Sequence, residues 1–133
     1  WIDKQKTINL QLEMPVRLST YRKGNAIPPL PGTNIFHSTE LFHVFEMTGD
    51  DEPLLIVAYI GNRPVGKLLA APEEYALVPP AIIKRCEIYG TGEYFDEEQN
   101  KEGLFGEMLE HLTNEVLCKS FLIEFRNLEN PLF

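Results

Sequence analysis

The sequence predicts a mixed α/β domain: one central sheet of about five or six strands with two main helices packed on it. Three observations point there. First, two apolar runs, Leu54 to Ile60 and Val65 to Ala71, flank a Gly61-Asn62 break, with Arg63-Pro64 restarting the chain. That is a hairpin pattern. Second, Leu104, Met108, Leu112 and Val116 recur every four residues between about Lys101 and Cys118. Phe105, Leu109 and Leu117 lie beside them, and Glu107, Glu110, Asn114 and Glu115 lie opposite, as in a helix resting on a sheet. Third, that helix stands between two strand-like runs, Ile82 to Tyr89 and Phe121 to Arg126. Strands joined through a helix are most simply parallel, by a right-handed crossover.

The remaining elements follow in chain order. Ile8, Leu10, Leu12 and Met14 alternate with Asn9, Gln11 and Glu13. Period two predicts an opening strand over Lys6 to Met14, wet on one face. Arg17 to Thr33 holds Pro28-Pro29, Pro31 and Gly32 and reads as one long loop. Ser38 is an N-cap for a helix running to about Met47, with Phe36 and Phe42 placed as a hydrophobic staple. Leu41, Phe42, Phe45 and Met47 form its apolar face, and Gly49-Asp50-Asp51 ends it. In the last strand Phe121, Ile123 and Phe125 alternate with Leu122, Glu124 and Arg126; both faces begin apolar, as in a strand inside a sheet. The expected core is Phe42, Phe45, Ile56, Leu68, Ile88, Leu104, Met108, Leu112, Phe121, Ile123 and Phe125.

Composition bounds the function. The chain has 133 residues, 44% hydrophobic and 24% charged, which is one ordinary domain. No run approaches the roughly 20 apolar residues of a membrane span, and no signal-peptide pattern is present. The net charge of -8 argues against nucleic-acid binding by this chain alone, because counterion release needs clustered Lys and Arg. Arg22-Lys23 and Lys84-Arg85 are small clusters. Cys86 and Cys118 are too few for a disulfide framework and read as buried free thiols, which fits a cytoplasmic setting. His37, His43 and His111 lack ligand spacing, so no metal is expected. The chain starts at Trp1 and stops on Pro131-Leu132-Phe133, directly after an expected strand. We expect it to be the N-terminal part of a longer protein.

The element order resembles the core plan of the acyl-CoA N-acyltransferase (GNAT) fold. Enzymes of that fold cradle a pyrophosphate on backbone N–H groups at a helix N-terminus, within an Arg or Gln, two residues, Gly, one residue, Gly or Ala pattern. The matching segment is Asn100-Lys101-Glu102-Gly103-Leu104-Phe105-Gly106. Gly103 fits. Phe105 stands where a small residue is needed, and Gly106 is one position late. Glu93, Asp96, Glu97, Glu98 and Glu102 make the approach acidic, which suits a bare helix dipole and repels a pyrophosphate. An ordinary helix start is the better reading, and no cofactor is expected.

Cys86-Glu87-Ile88-Tyr89-Gly90-Thr91-Gly92-Glu93-Tyr94-Phe95-Asp96 resembles the strand-and-turn segment of the FemAB/FemX family: a strand ending on an aromatic residue, a Gly-bearing turn, then an acidic residue before a helix. Phe121-Leu122-Ile123-Glu124-Phe125-Arg126 is similar to the strand that follows in that family. Asn34-Ile35-Phe36-His37-Ser38-Thr39-Glu40-Leu41-Phe42 is similar to its approach to the first helix. The turn here lacks the family's Arg-Gly-Pro-like segment. The resemblance covers roughly Thr33 to Leu128. It implies the first of two acyltransferase-like domains of an enzyme that adds amino acids from aminoacyl-tRNA to a peptidoglycan precursor. The first domain helps to bind the muramyl-peptide precursor and uses no acetyl-CoA; aminoacyl-tRNA would be met by the C-terminal part. Asp96 would be the catalytic acid–base candidate. Tyr89 and Lys67 would bind substrate, Lys67 through an anionic group. Outside the resemblance, Tyr89 reads as a strand-end core aromatic, Asp96 as a helix-proximal acid, and Lys67 as a charge on a solvated strand face. Two other classes stay open: a GNAT-type N-acetyltransferase using acetyl-CoA, and a non-catalytic binding module of the same fold.

Overall fold

The computed structural model describes residues 15–49, 52–76, 82–95, 100–116 and 121–126. Among these residues are six strands and two α-helices: β1 Val16–Tyr21, α1 Thr39–Thr48, β2 Leu54–Ile60, β3 Arg63–Ala76, β4 Ile82–Tyr89, β5 Glu93–Tyr94, α2 Lys101–Val116 and β6 Phe121–Arg126. The sheet runs β1-β2-β3-β4-β6, with β5 paired to β3. β1 to β5 pair antiparallel, and β4 and β6 pair parallel. The mixed order read from the sequence is therefore present.

The hairpin forms because β2 is apolar on both faces and buried along its whole length. It occupies an inner position in the sheet, where both faces are covered. Its partner strand starts irregularly. The register shifts between Ala58 and Tyr59, so that Ala58 faces Gly66 and Tyr59 faces Pro64. Pro64 has no N–H for the ladder, and a bulge is where a strand tolerates that loss.

Each helix covers one face of the sheet. Leu104, Met108 and Leu112 of α2 pack with Leu54, Ile56, Leu68, Ala70, Cys86 and Ile88. Val16, Leu18, Phe105, Leu109 and Ile123 close the edges of that cluster. His111 bonds Thr20 Oγ1 at 2.7 Å, tying α2 to β1. On the opposite face Phe42 of α1 packs with Leu55, Val57, Tyr59 and Leu69. Ser38 caps α1 by accepting the Leu41 N–H at 3.1 Å, and Gly49 stops the helix in the left-handed region at φ 74°. No helix among the described residues is long and apolar enough to cross a membrane.

The structure corrects several expectations. Arg17 to Tyr21, read as the start of the long loop, belongs to β1; the expected strand over Lys6 to Met14 lies outside the described residues. The alternation Val16, Leu18, Thr20 against Arg17, Ser19, Tyr21 was the available signal, and pairing with Leu55 to Ile60 of β2 realises it. Phe36 is no staple. It stacks on Tyr89 at 5.7 Å, and His37 holds the place next to the cap. Met47 is exposed. β6 ends the described strand order rather than lying inside the sheet, so Phe125 keeps 44% of its surface in solvent. Cys86 is buried and free, and burial pushes its thiol up to about 12, which keeps it protonated and inert. Cys118 is outside the described residues.

Candidate functional site

Strand alternation places Lys67, Leu69, Ala71 and Glu73 of β3 on the α1 side of the sheet, beside Arg85, Glu87 and Tyr89 of β4. The apolar cluster under α1 reaches Leu69 and stops. Beyond it the same face carries charge. Glu87, nearly buried, is held by Arg85 at 2.8 Å and Arg126 at 3.0 Å, and accepts the Tyr89 hydroxyl at 3.3 Å. Arg85 also meets Glu124 at 3.1 Å. Desolvation, and then the Glu87 charge, raise the Tyr89 hydroxyl, so it stays a neutral donor. Its ring lies on Phe36. Tyr89 thus ends β4 as expected, with its hydroxyl given to the ladder.

Lys67 departs from its solvated-face reading. It is 4% exposed. Strand β5 explains why: Glu93 sits directly across from Lys67 in the β3–β5 register. The ammonium lies 3.5 Å from Glu93 Oε1 and 5.7 Å from the Phe95 ring centroid. The other carboxylate oxygen, Glu93 Oε2, accepts the N–H groups of Thr33 and Asn34 at 2.9 and 3.1 Å. Glu93 therefore fastens the proline-rich loop to the sheet. Gly32 is required at that approach. Its φ is +118°, and a Cβ would fall within 2.2 Å of Glu93 Oε1.

Between this loop and α1 lies an open cleft of about 690 Å³, with Lys67 on its floor and Leu30, Thr33, Ile35, Thr39 and Glu40 among its walls. A second cleft, about 710 Å³, lies by Arg22, His43, Glu46 and Glu52. Three of its side chains are engaged: Glu46 takes the Gly24 N–H at 3.0 Å and His43 at 3.2 Å, and Arg22 pairs with Glu115 at 2.5 Å. The Lys67 cleft is different. Among the described residues the ammonium has one charged neighbour, at a distance beyond a good hydrogen bond. Glu93 Oε1 is buried and accepts no hydrogen bond among them.

His37 joins this cleft to the end of β4. The buried Leu69 N–H donates to its Nδ1 at 3.0 Å. The Gly92 N–H points at Nε2 at 3.2 Å. A neutral imidazole has one lone pair, so in each tautomer it accepts one of these two N–H groups and keeps one N–H of its own, and the Tyr89 carbonyl is a backbone partner of the ring. Burial lowers the imidazole to about 4, against the opposing pull of the Tyr89 carbonyl and Glu93. His37 is thus a neutral strut, a role its lone position in the sequence did not signal.

The start of α2 is where a pyrophosphate would be cradled. Asn100 Oδ1 accepts the Gly103 N–H at 3.1 Å, and the Asn100 carbonyl accepts the Leu104 N–H at 2.9 Å. Glu102 adds negative charge beside Lys101 in the first turn. Phe105, read as crowding that approach, instead sets its ring edge-on to Phe125 at 5.9 Å. The described residues of this turn do not fit a pyrophosphate, because Asn100 caps the N–H of the cradle glycine and Glu102 offsets the one cation. Asp96 and the acids that follow it, Glu97 and Glu98, lie outside the described residues. Sequence reading singled out Lys67 and Tyr89 but not the residues that surround them. Glu93, Gly32 and His37 converge only through the β3–β5 register and the loop above it.

No protein-family model matches the sequence, and no curated protein matches it. Among solved structures the chain is similar to the aminoglycoside acetyltransferase meta-AAC0020 from an uncultured soil metagenomic sample. In that protein's complex with trehalose the likeness has a TM-score of 0.56 at 11% identity, over 86% of this chain and 78% of that chain. In its complex with sisomicin the TM-score is 0.55 at 15% identity, with the same coverage. At such identities the likeness speaks to architecture. With the β4-α2-β6 crossover and the helix on each face of a six-stranded sheet, this chain has the GNAT-type acyltransferase fold.

Proposed function

We propose that this domain is a ligand-binding module of acyltransferase fold, and more narrowly the precursor-binding half of a FemAB-like aminoacyltransferase. The observation that carries the reading is the buried Lys67 ammonium on the floor of an open cleft. Buried lysines are costly unless paired, and this one faces ligand-sized space with most of its donors unspent among the described residues. Two further features support it. The Asn34–Phe42 segment that resembles the FemAB family supplies walls of the same cleft, through Asn34, Ile35, Ser38, Thr39 and Glu40. The start of α2 satisfies its own cradle glycine. In this reading Lys67 holds an anionic group of a muramyl-peptide precursor. Tyr89 lines the groove at the end of β4, and Asp96 orients the attacking amine or accepts its proton. Aminoacyl-tRNA is met by a further part of the protein, in the cytoplasm.

The second reading, an N-acetyltransferase using acetyl-CoA, is favoured by the fold of the aminoglycoside acetyltransferase alone. Titration calorimetry separates the two. The precursor should bind and acetyl-CoA should give no saturable heat; the reverse result selects the acetyltransferase. In a longer protein with transfer activity, Asp96→Asn should lower turnover about 10²-fold or more. Tyr89→Phe should weaken precursor use. Unchanged turnover in both folded variants removes these two residues from the site.

A further inference from the structure

Of the Lys67–Glu93 pair, Lys67 alone lines the cleft. Glu93 Oε1 is buried beneath Gly32, 3.5 Å behind the ammonium. A ligand in the cleft therefore touches the cation and feels the carboxylate only as a charge. The start of α1 lines the same cleft through Ser38, Thr39 and Glu40. Ser38 Oγ takes the Leu41 N–H, and the Ser38 carbonyl takes that of Phe42. The N–H groups of Thr39 and Glu40 find no partner among the described residues, as is usual in the first turn of a helix. An ammonium on the floor and a helix start in the wall both favour an anion. The charge of that anion is limited. Lys67 is the one cation among the lining residues, while Glu93 behind it and Glu40 in the wall are anionic. The attraction an anion gains from a fixed field rises in proportion to its charge, but the cost of stripping its water rises as the square. With Lys67 largely offset, a second negative charge adds more cost than attraction. A phosphate dianion is disfavoured, and a carboxylate, with one charge on two oxygens, is favoured. Ile27, Leu30 and Ile35, with Pro28 and Pro29, make much of the remaining lining apolar. They suit a carboxylate carried on a hydrocarbon group, as at the end of a peptide closed by an apolar residue.

From this we infer that the Lys67 cleft binds a monocarboxylate next to an apolar side chain, in preference to phosphate. The inference rests on the reading of this cleft as the domain's ligand site and names the anionic group it takes: in the precursor, a carboxylate of the peptide. The test is titration calorimetry at neutral pH on the 133-residue chain, with three probes: N-acetyl-alanyl-leucine, the same peptide as its C-terminal amide, and inorganic phosphate. The free acid should bind saturably. The amide should be at least about tenfold weaker, one charge-assisted contact being worth that much, and phosphate should not displace the acid. Replacing Lys67 alone would strand the buried Glu93 charge, so the variant is the pair Lys67→Met with Glu93→Gln. It keeps both volumes and leaves an oxygen to accept the Thr33 and Asn34 N–H groups. It should stay folded and lose the acid. Three results in the wild type each overturn the inference, whatever the variant does: no saturable heat from the acid, equal binding of acid and amide, or phosphate binding as tightly as the acid. Precursor titrated into both proteins tests the underlying reading separately. Precursor lost with the pair supports the cleft as the site even where phosphate proves the better ligand; precursor bound equally by both proteins removes Lys67 from it.

Discussion

On the α2 side of the sheet apolar side chains run from Leu18 of β1 to Ile123 of β6; on the α1 side they stop at Leu69 and give way to Lys67, Glu73, Arg85, Glu87, Glu124 and Arg126. The first face is covered by a sixteen-residue helix, the second by a ten-residue helix and a proline-rich loop. The difference separates two jobs. Dry, interdigitated packing on the α2 side holds the fold, since dispersion and burial are non-directional and close-packed sites resist change. The α1 side keeps polar groups within reach of solvent and fixes them in pairs, which is what a binding site requires.

The largest way to test that division is to empty a site under α2. Met108 is fully buried, and Met108→Ala should cost about 2–5 kcal/mol in a denaturant melt. A loss under about 1 kcal/mol would mean that the α2 face is not the main core.

A second effect, of the order of 3 kcal/mol at its limit, belongs to His37 on the α1 side. Its folded value of about 4 lies below the ordinary 6.5, so the unfolded chain binds the proton more readily. The contribution is complete above about pH 6.5, declines as pH falls, and is gone below about pH 4. His37→Asn, which can still accept the Leu69 N–H, should flatten the wild-type stability slope between those limits. Parallel slopes for the two proteins would detach His37 from the acid sensitivity.

The smallest effect concerns the charge ladder. Glu87 serves Arg85 and Arg126, whose side chains are 28% and 42% exposed, so screening reduces what the pairs are worth. Glu87→Gln should cost about 1–2 kcal/mol and lose its sensitivity to salt. A cost as large as that of Met108→Ala would make the polar face as much a part of the core as the apolar one, and would erase the comparison.

How far the fold is legible in the sequence depends on the range of the forces involved. The β2–β3 hairpin, the bounds of β4, the Ser38 cap and the α2 stripe all follow from neighbours within a few residues, through turn chemistry, side-chain period and capping. Strand β1 was hidden in a segment whose alternation is partly polar; it becomes a strand because β2 offers it an edge from Leu55 to Ile60. Phe125 carries the residue type of a core strand yet lies half open, because β6 has one described neighbour.

The candidate site divides the same way. Lys67 and Tyr89 stand out in the sequence as a lone charge in an apolar run and an aromatic strand end. That Lys67 is buried, that Glu93 rather than water faces it, and that Gly32 and His37 close around the pair depend on residues 26 to 61 positions apart meeting across β3 and β5. Local periodicity carries the order of the elements and the parallel crossover. The register of a two-residue strand, and with it the chemistry of the cleft, was decided by long-range packing, because a strand's neighbours across the sheet are set by what its other residues bury.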